Sequence, residues 1–522
     1  MAVPSYTTDL VDIDLCEAGG KTWAEPTATG WLAGAGPSAD DDNPFQGLLA
    51  MSKAYNAAGV GGMMVNNGGA ITLPTDGAFL VWFCWSAPGS LEADVDGGIR
   101  IMVGTDLANF LSWDVGGKTS YVYGGWINYA VNTTITPDDT VGTGLGNSQY
   151  VGAAVNNFNS IFKGNPFLCD AIRYNRCEAR ITGGEGPANY ATFAGYAAVN
   201  DSNTTGAYNR WGLLQAIAGG YLVKGLITLG YGSAVDFRDS NKSLIIQNTG
   251  KVTANFNTFE VKQATSRVDL TSISITALGT VSKGRWLTTD NADVNIESCV
   301  FTDMNTFTFL AQSTILNTTF RRCGIVTQGA AVFTGCKFDA ASGTKALVVD
   351  TIGNVTNTTF ISKGTGYAIE GFSSAGTYSL TGLIFTGYGA NGTTDAAIHV
   401  LATSGIVYLG IGGGGTASPT VKSDGATIEY TVSVTLKIAV KDIDGNPMVG
   451  VRCYIDNNNE SPFILDDVTN SSGEASVGYS GSPVTNATWR VRKYTYLPFQ
   501  QLVSIGSENI TLPVTLIDDP IY

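Results

Sequence analysis

Apolar positions recur at one fixed offset through the middle of the chain. Aligned on phenylalanine, "NIESCVF" ends at Phe301, "TILNTTF" at Phe320, "VFTGCKF" at Phe338, "NVTNTTF" at Phe360 and "SLTGLIF" at Phe385. Five places before each Phe stands an apolar residue: Ile296, Ile315, Phe333, Val355 and Leu380. Three places before it stands a small turn former: Ser298, Asn317, Gly335, Asn357 and Gly382. "DLTSISI" puts Leu270, Ser272 and Ile275 in the same roles, and the interval runs from 18 residues (Phe320 to Phe338) to 26 (Ile275 to Phe301). Residues five apart on one strand face opposite sides, so two apolar ones can share an interior only if the chain bends between them. Asn, Ser and Gly tolerate the left-handed backbone such a bend requires. The pattern predicts strand, corner, strand, repeated as coils of a parallel β-solenoid that stacks like residues about 4.8 Å apart. Rich Thr, Val, Ile and Phe content without a 3.6-residue period argues against helical repeats.

The flanks read differently. "FLVWFCW" (79–85) is apolar on both faces, as a central strand between layers would be. "GGIRIMVG", "NFLSWDVGG" and "YVYGGWINYAV" supply further strands around Gly turns, which predicts an antiparallel β-sandwich of jelly-roll type over 1–178. Short apolar strands between Gly, Asp and Asn turns in 221–249 extend the solenoid back, giving a central parallel β-helix over 179–424. "GIVYLGIGGGGTASP" (405–419) is expected to close the stack and become a linker. From 425 to 522, period-two strands around "DIDGNP", a hairpin-like turn at "TNSSGEASVGY" and a last strand in "ENITLPVTLI" predict a small Ig-like β-sandwich. The fold class expected is all-β.

Composition agrees and excludes several partners. Of 522 residues, 44% are apolar and 14% charged, too greasy for disorder and too sparsely charged for a coiled coil. The 65 glycines suit many tight turns. A formal charge of −15 argues against a nucleic-acid partner, which needs a basic stripe. "MAVPSYTTDLVDID" has neither the basic nor the apolar region of a secretory signal, and no apolar run is long enough to predict a membrane span. The eight cysteines lack a CxxC pair and are expected to be free, buried thiols.

The single histidine, His399, lies in the apolar stretch "AAIHVLA" and is expected to be packed rather than catalytic; triads and zinc sites lose their usual residue. The acids considered for glycan hydrolysis are Asp290, Asp293, Glu297, Asp303, Asp339, Asp350 and Glu370. Such chemistry needs two carboxyls about 5–9 Å apart, a spacing open to Asp290 and Asp293, or to Glu297 across a rung. A lyase would join acids to a base such as Arg321 or Arg322. "SADDDNPF" (38–45) and Asp442, Asp444 and Asn446 of "DIDGNP" look like calcium loops, but Cys453 fills the twelfth position of the second, so both are expected to be turns. "GIGGGG" (410–415) contains GxGxxG without a following helix and is not a dinucleotide site. No catalytic, metal or cofactor residue is therefore assigned, and no cofactor is expected.

The "NTTF"-type rungs resemble right-handed parallel β-helices of the pectate-lyase and phage-tailspike kind, over about 180–415. "VKDIDGNPMVGVRCYI…TNSSGEASV" resembles the carboxypeptidase-regulatory, transthyretin-like sandwich. "NFLSWDVGG", "GGWINYAV" and "LCDAIRYN" are similar to concanavalin/LamG-like modules that precede a β-helix in tailed-phage virion proteins. This order implies a structural, non-enzymatic protein of a bacteriophage virion, a fibre, spike or head- or tail-attached appendage. It further implies a homotrimer, other virion proteins (capsid, tail or baseplate) as partners, assembly in the host bacterial cytoplasm, and a host-surface glycan as a candidate partner. The alternative is a polysaccharide depolymerase of tailspike type, a glycoside hydrolase or lyase.

Overall fold

The computed structural model describes residues 3–520 apart from 56, 122–124, 158–165, 187–188, 202–208, 248–249, 280–281 and 458–459. The protein is all-β with many parallel strand pairs. It divides into two compact units, 1–294 with 302–305, and 295–301 with 306–522.

In the first unit, Ala78–Trp85 is buried at every position, as its two-sided apolar pattern requires. It pairs antiparallel with Ile127–Val131 on one side and Pro166–Asn175 on the other. Phe79, Val81, Phe83 and Trp85 share a core with Ile101, Val103, Trp113, Val151 and Ala153 of a second antiparallel sheet. The opposite face of the strand is covered too: Phe45 stacks on Trp82 with ring centroids 3.6 Å apart. "SADDDNPF" is accordingly more than a loop, since Ser38–Asp40 is a strand paired with Ala50–Ala54.

The first strand of the chain, Ser5–Thr8, does not join these sheets. It pairs antiparallel with Glu178–Thr182, which begins a parallel ladder through Leu226–Leu229, Thr258–Val261 and Arg285–Thr288. Two more parallel ladders run through Gly220–Val223, Ser243–Gln247 and Ser274–Leu278, and through Asp236–Ser240 and Arg267–Thr271. A helix, Phe193–Asn200, stands where only strands were expected. Thr192 caps it by accepting a hydrogen bond from the Gly195 N–H at 3.0 Å. Its Phe193 ring meets one aromatic residue from each ladder: Phe237 at 4.7 Å, Tyr221 at 6.2 Å and Phe259 at 6.5 Å. The helix thus packs an aromatic ring against all three ladders.

In the second unit successive repeats add strands to three ladders. One ladder runs Thr306–Thr308, Val326–Thr327, Lys345–Val348, Tyr367–Gly371, Ile398–Val400, Val421–Ser423. Another pairs Ile315 with Phe333 and Phe333 with Val355. The third pairs Phe320 with Phe338, Phe338 with Phe360 and Phe360 with Phe385. The five repeat phenylalanines form one stack: centroids are 5.4 Å apart for Phe301–Phe320, 4.9 Å for Phe320–Phe338 and for Phe338–Phe360, and 5.4 Å for Phe360–Phe385, all within 20° of parallel. Burying each ring contributes about 1.5–3 kcal/mol, and each offset contact adds roughly 0.5–1.5 kcal/mol.

The corner residues adopt the left-handed backbone the spacing demands: φ is 55° at Ser298, 49° at Asn317, 65° at Gly335, 49° at Asn357 and 66° at Gly382. Each N–H donates to the rung above, as Asn317 does to the Thr334 carbonyl at 2.9 Å and Gly335 to the Thr356 carbonyl at 3.0 Å. Immediately after the first four of these corners, Cys299, Thr318, Cys336 and Thr358 donate to the carbonyl two residues back, at 3.4, 3.0, 3.6 and 2.9 Å. Cys and Thr are interchangeable there because both are small, buried and carry a donor.

The expected linker at 405–419 is absent. Ile406–Gly412 is a strand whose Val407, Leu409 and Ile411 are buried, while Gly410 and Gly412 take the outward positions. It pairs parallel with Gly376–Thr381 and with the start of Thr427–Lys441. That fifteen-residue strand passes from the parallel ladder straight into the C-terminal sheets, where Val432–Ala439 pairs antiparallel with Glu474–Gly481 and Leu436–Lys441 parallel with Ile510–Thr515. "TNSSGEASVGY" likewise corrects to a crossover. The strand before it, Glu460–Val468, pairs with Arg452–Asn457, and the strand after it joins the other sheet.

Candidate functional site

Several of the acids singled out above serve loops, corners or ion pairs. Asp293 and Glu297 stand at the two ends of one strand, about 13 Å apart at 3.3 Å per residue, beyond the span for hydrolysis. Asp290 accepts from the Asn291 N–H at 2.8 Å and shapes a loop. Asp303 occupies a second corner, with φ 57°. Asp339 faces Arg321 at 3.4 Å and Lys337 at 3.9 Å, so that arginine does meet an acid, as one ion pair on an exposed face. Arg322 has φ 49° and is likewise a corner residue. Asp350 is exposed, and its N–H donates to Gln328 Oε1 at 3.0 Å.

Glu370 is different, because the structure brings it to His399. Glu370, His399 and Lys422 are successive partners on three parallel strands. His399 Nδ1 lies 3.0 Å from Glu370 Oε2, and Nε2 lies 3.1 Å from Asp424 Oδ1. Lys345 pairs with the other oxygen of Glu370, Lys422 approaches Asp424 at 4.0 Å, and the Tyr367 ring stacks on the imidazole at 4.5 Å. Burial pushes the Glu370 carboxyl upward, yet hydrogen bonds from Lys345 and His399 prevail and hold it below the usual range. The His399 hydrogen bond holds Asp424 low as well. Both ring nitrogens of His399 thus face carboxylates. It is nearly buried, as expected, but through polar contacts rather than apolar packing.

A second cluster escaped the sequence reading. Asp170 and Arg173 lie on the buried strand Pro166–Asn175. Asp170 Oδ2 accepts from the Phe45 and Gln46 N–H groups at 2.9 and 3.0 Å, and burial raises its carboxyl to about 7. Arg173 is fully buried, donating to Asp12 Oδ1 at 2.8 Å, Gln46 Oε1 at 3.0 Å and the Arg210 carbonyl at 3.2 Å. Burial likewise raises Asp201 to about 7, with the Gly212 and Leu214 N–H groups donating to it. A cavity of about 390 Å³ opens beside it, lined by Phe45, Trp82, Asp201, Arg210, Gln215 and Tyr221 among others. Asp170 inside the otherwise apolar "FLCDAI", with Arg173 directly after that stretch, was the available signal. The bonds of this cluster tie distant chain segments together.

The calcium-like turns are explained by their own backbone. Asp442 Oδ1 accepts from the Asp444 and Asn446 N–H groups at 3.0 and 2.8 Å, and the Asn446 bond leads in holding its carboxyl low. Asp40 Oδ1 accepts from the Asp42 N–H at 3.0 Å. Among the described residues, no group of three or more His, Cys, Asp or Glu side chains is placed to hold a metal ion. No helix among them is long and apolar enough to cross a membrane.

No family model matches the chain. No curated protein matches it either. Among solved structures, a xylan-binding domain from carbohydrate-binding module 22 is similar over 31% of this chain and 90% of its own length, at 11% identity and a TM-score of 0.17.

Proposed function

We propose that this chain is a structural protein of a bacteriophage virion, a fibre, spike or head- or tail-attached appendage. In this reading a right-handed parallel β-helix joins an N-terminal sandwich of jelly-roll type to a C-terminal Ig-like, transthyretin-like one. The observation that carries it is the in-register stack from Phe301 to Phe385, on a ladder of parallel strands. A core that repeats along one direction builds stiffness rather than a pocket, because each rung buries only its neighbours. The outward acids add support: Asp339, Glu370 and Asp424 are tied to cations or to His399.

Mass spectrometry of purified particles, followed by imaging of their surface with an antibody to this chain, tests the reading. The chain should be present at fixed stoichiometry, and the purified protein should sediment as a homotrimer. Its absence from particles would overturn the proposal. Incubation with host capsule distinguishes the depolymerase alternative, which alone releases new reducing ends.

A further inference from the structure

The row containing His399 joins the last strands of one ladder. Val421–Ser423 ends that ladder, paired on one side only, with Ile398–Val400. The groups facing the imidazole come from every neighbouring strand: Tyr367 and Glu370 from Tyr367–Gly371, Lys345 behind Glu370, and Lys422 with Asp424 from the terminal strand and the turn after it. Two carboxylates therefore face the two ring nitrogens, and a lysine stands beside each carboxylate.

A neutral imidazole carries one N–H and one lone pair, whereas the imidazolium carries two donors. Only the imidazolium can donate to both Glu370 and Asp424. The two contacts differ in their surroundings: the Glu370 side chain is 15% exposed and paired with Lys345, while that of Asp424 is 38% exposed. A single remaining proton is held better on Nδ1, facing the more buried carboxylate. Nε2 then turns a lone pair toward Asp424, and that contact becomes repulsive.

We propose that His399 is a proton-operated latch on the terminal strand: protonated, it fastens Asp424 and Val421–Ser423 to the ladder, and deprotonated, it releases them while Glu370 stays bound. The backbone that would loosen is defined, since the Asp424 N–H donates to the Val400 carbonyl at 3.0 Å and the Ala426 N–H to the Ala402 carbonyl at 3.1 Å.

Because the chain has one histidine, isotope labelling of histidine gives a single ring signal to titrate in the full-length protein. Hydrogen exchange of 421–426, corrected for intrinsic rates, is followed over the same pH range. Protection should fall about tenfold as the His399 signal titrates, the weight of one charge-assisted hydrogen bond. His399→Gln offers one donor and one acceptor, so it should show the low protection at every pH. Asp424→Asn can donate to the neutral ring, so it should keep protection and lose the pH dependence. Wild-type protection that stays flat while the ring titrates, or an Asp424→Asn protein with wild-type pH dependence, overturns the latch.

Discussion

Asn317 lays its Oδ1 over Gly335 in the next rung, where a Cβ on residue 335 would come within 2.3 Å of it. Asn357 does the same to Gly382, at 2.2 Å. The corner column is therefore an alternation of Asn and Gly, in which each amide occupies the space its neighbour's missing side chain leaves open. Gly335→Ala should destabilise the second unit by about 1–3 kcal/mol, from the left-handed backbone and the clash together. Asn317→Gly should cost under about 1 kcal/mol, because glycine accepts the same φ. Urea unfolding of both variants checks this, and equal costs would count against the alternation.

Position within the aromatic stack should set the cost of cutting it. Phe338 lies between Phe320 and Phe360 and is buried, so Phe338→Ala should lose about 3–5 kcal/mol. Phe385 ends the run of five and is partly exposed, so Phe385→Ala should lose clearly less. Phe320→Asp should prevent folding, since a carboxylate would be buried without a partner. Thermal unfolding ranks the three.

Two buried groups give the first unit opposite pH dependences. Burial raises Asp170 to about 7, so the folded state holds a proton that the unfolded chain has released. Stability from this group is full below the ordinary carboxyl range and falls as pH rises toward about 7. Asp170→Asn, which keeps an acceptor for the Phe45 and Gln46 N–H groups, should flatten that fall in urea titrations from about pH 4 to 7.

Lys224 has the reverse sign. Burial lowers it from 10.5 to about 7, and its Nζ donates to the Asn128 carbonyl at 3.2 Å and to the Asn128 side chain. Between those values the unfolded chain holds the extra proton, so stability rises with pH. Lys224→Met should therefore stabilise most at about pH 6 and progressively less toward about pH 10, as melting temperature measured against pH would show.

The thiols should be silent in the folded protein. All eight cysteines are buried thiols outside any disulfide, and burial pushes Cys336 up to about 11. A thiol reagent at about pH 8 should label none before unfolding and eight after it. Cys336→Thr should change stability by less than about 1 kcal/mol, because Thr318 and Thr358 already fill the equivalent place in adjoining rungs.

The repeat itself was legible in the sequence, because stacked strands force like residues to recur at fixed offsets. Ile315, Asn317 and Phe320 by their spacing specify a strand, a left-handed corner and a second strand. The two-sided apolar run at 79–85 was legible as well. The tertiary structure alone decided the second corner, where Arg322 and Ala340 hold φ near 50° without any turn-forming signature. Their N–H groups donate to the Asp339 and Ile361 carbonyls one rung on, and those bonds impose the conformation their own side chains would not choose. It also decided the capping helix at Phe193, the pairing of Ile406–Gly412, in the expected linker, with Thr427–Lys441, and the meeting of Glu370, His399 and Asp424. The last of these joins residues 29 and 25 positions apart, and local pattern carries no record of which distant side chain a ladder will place opposite.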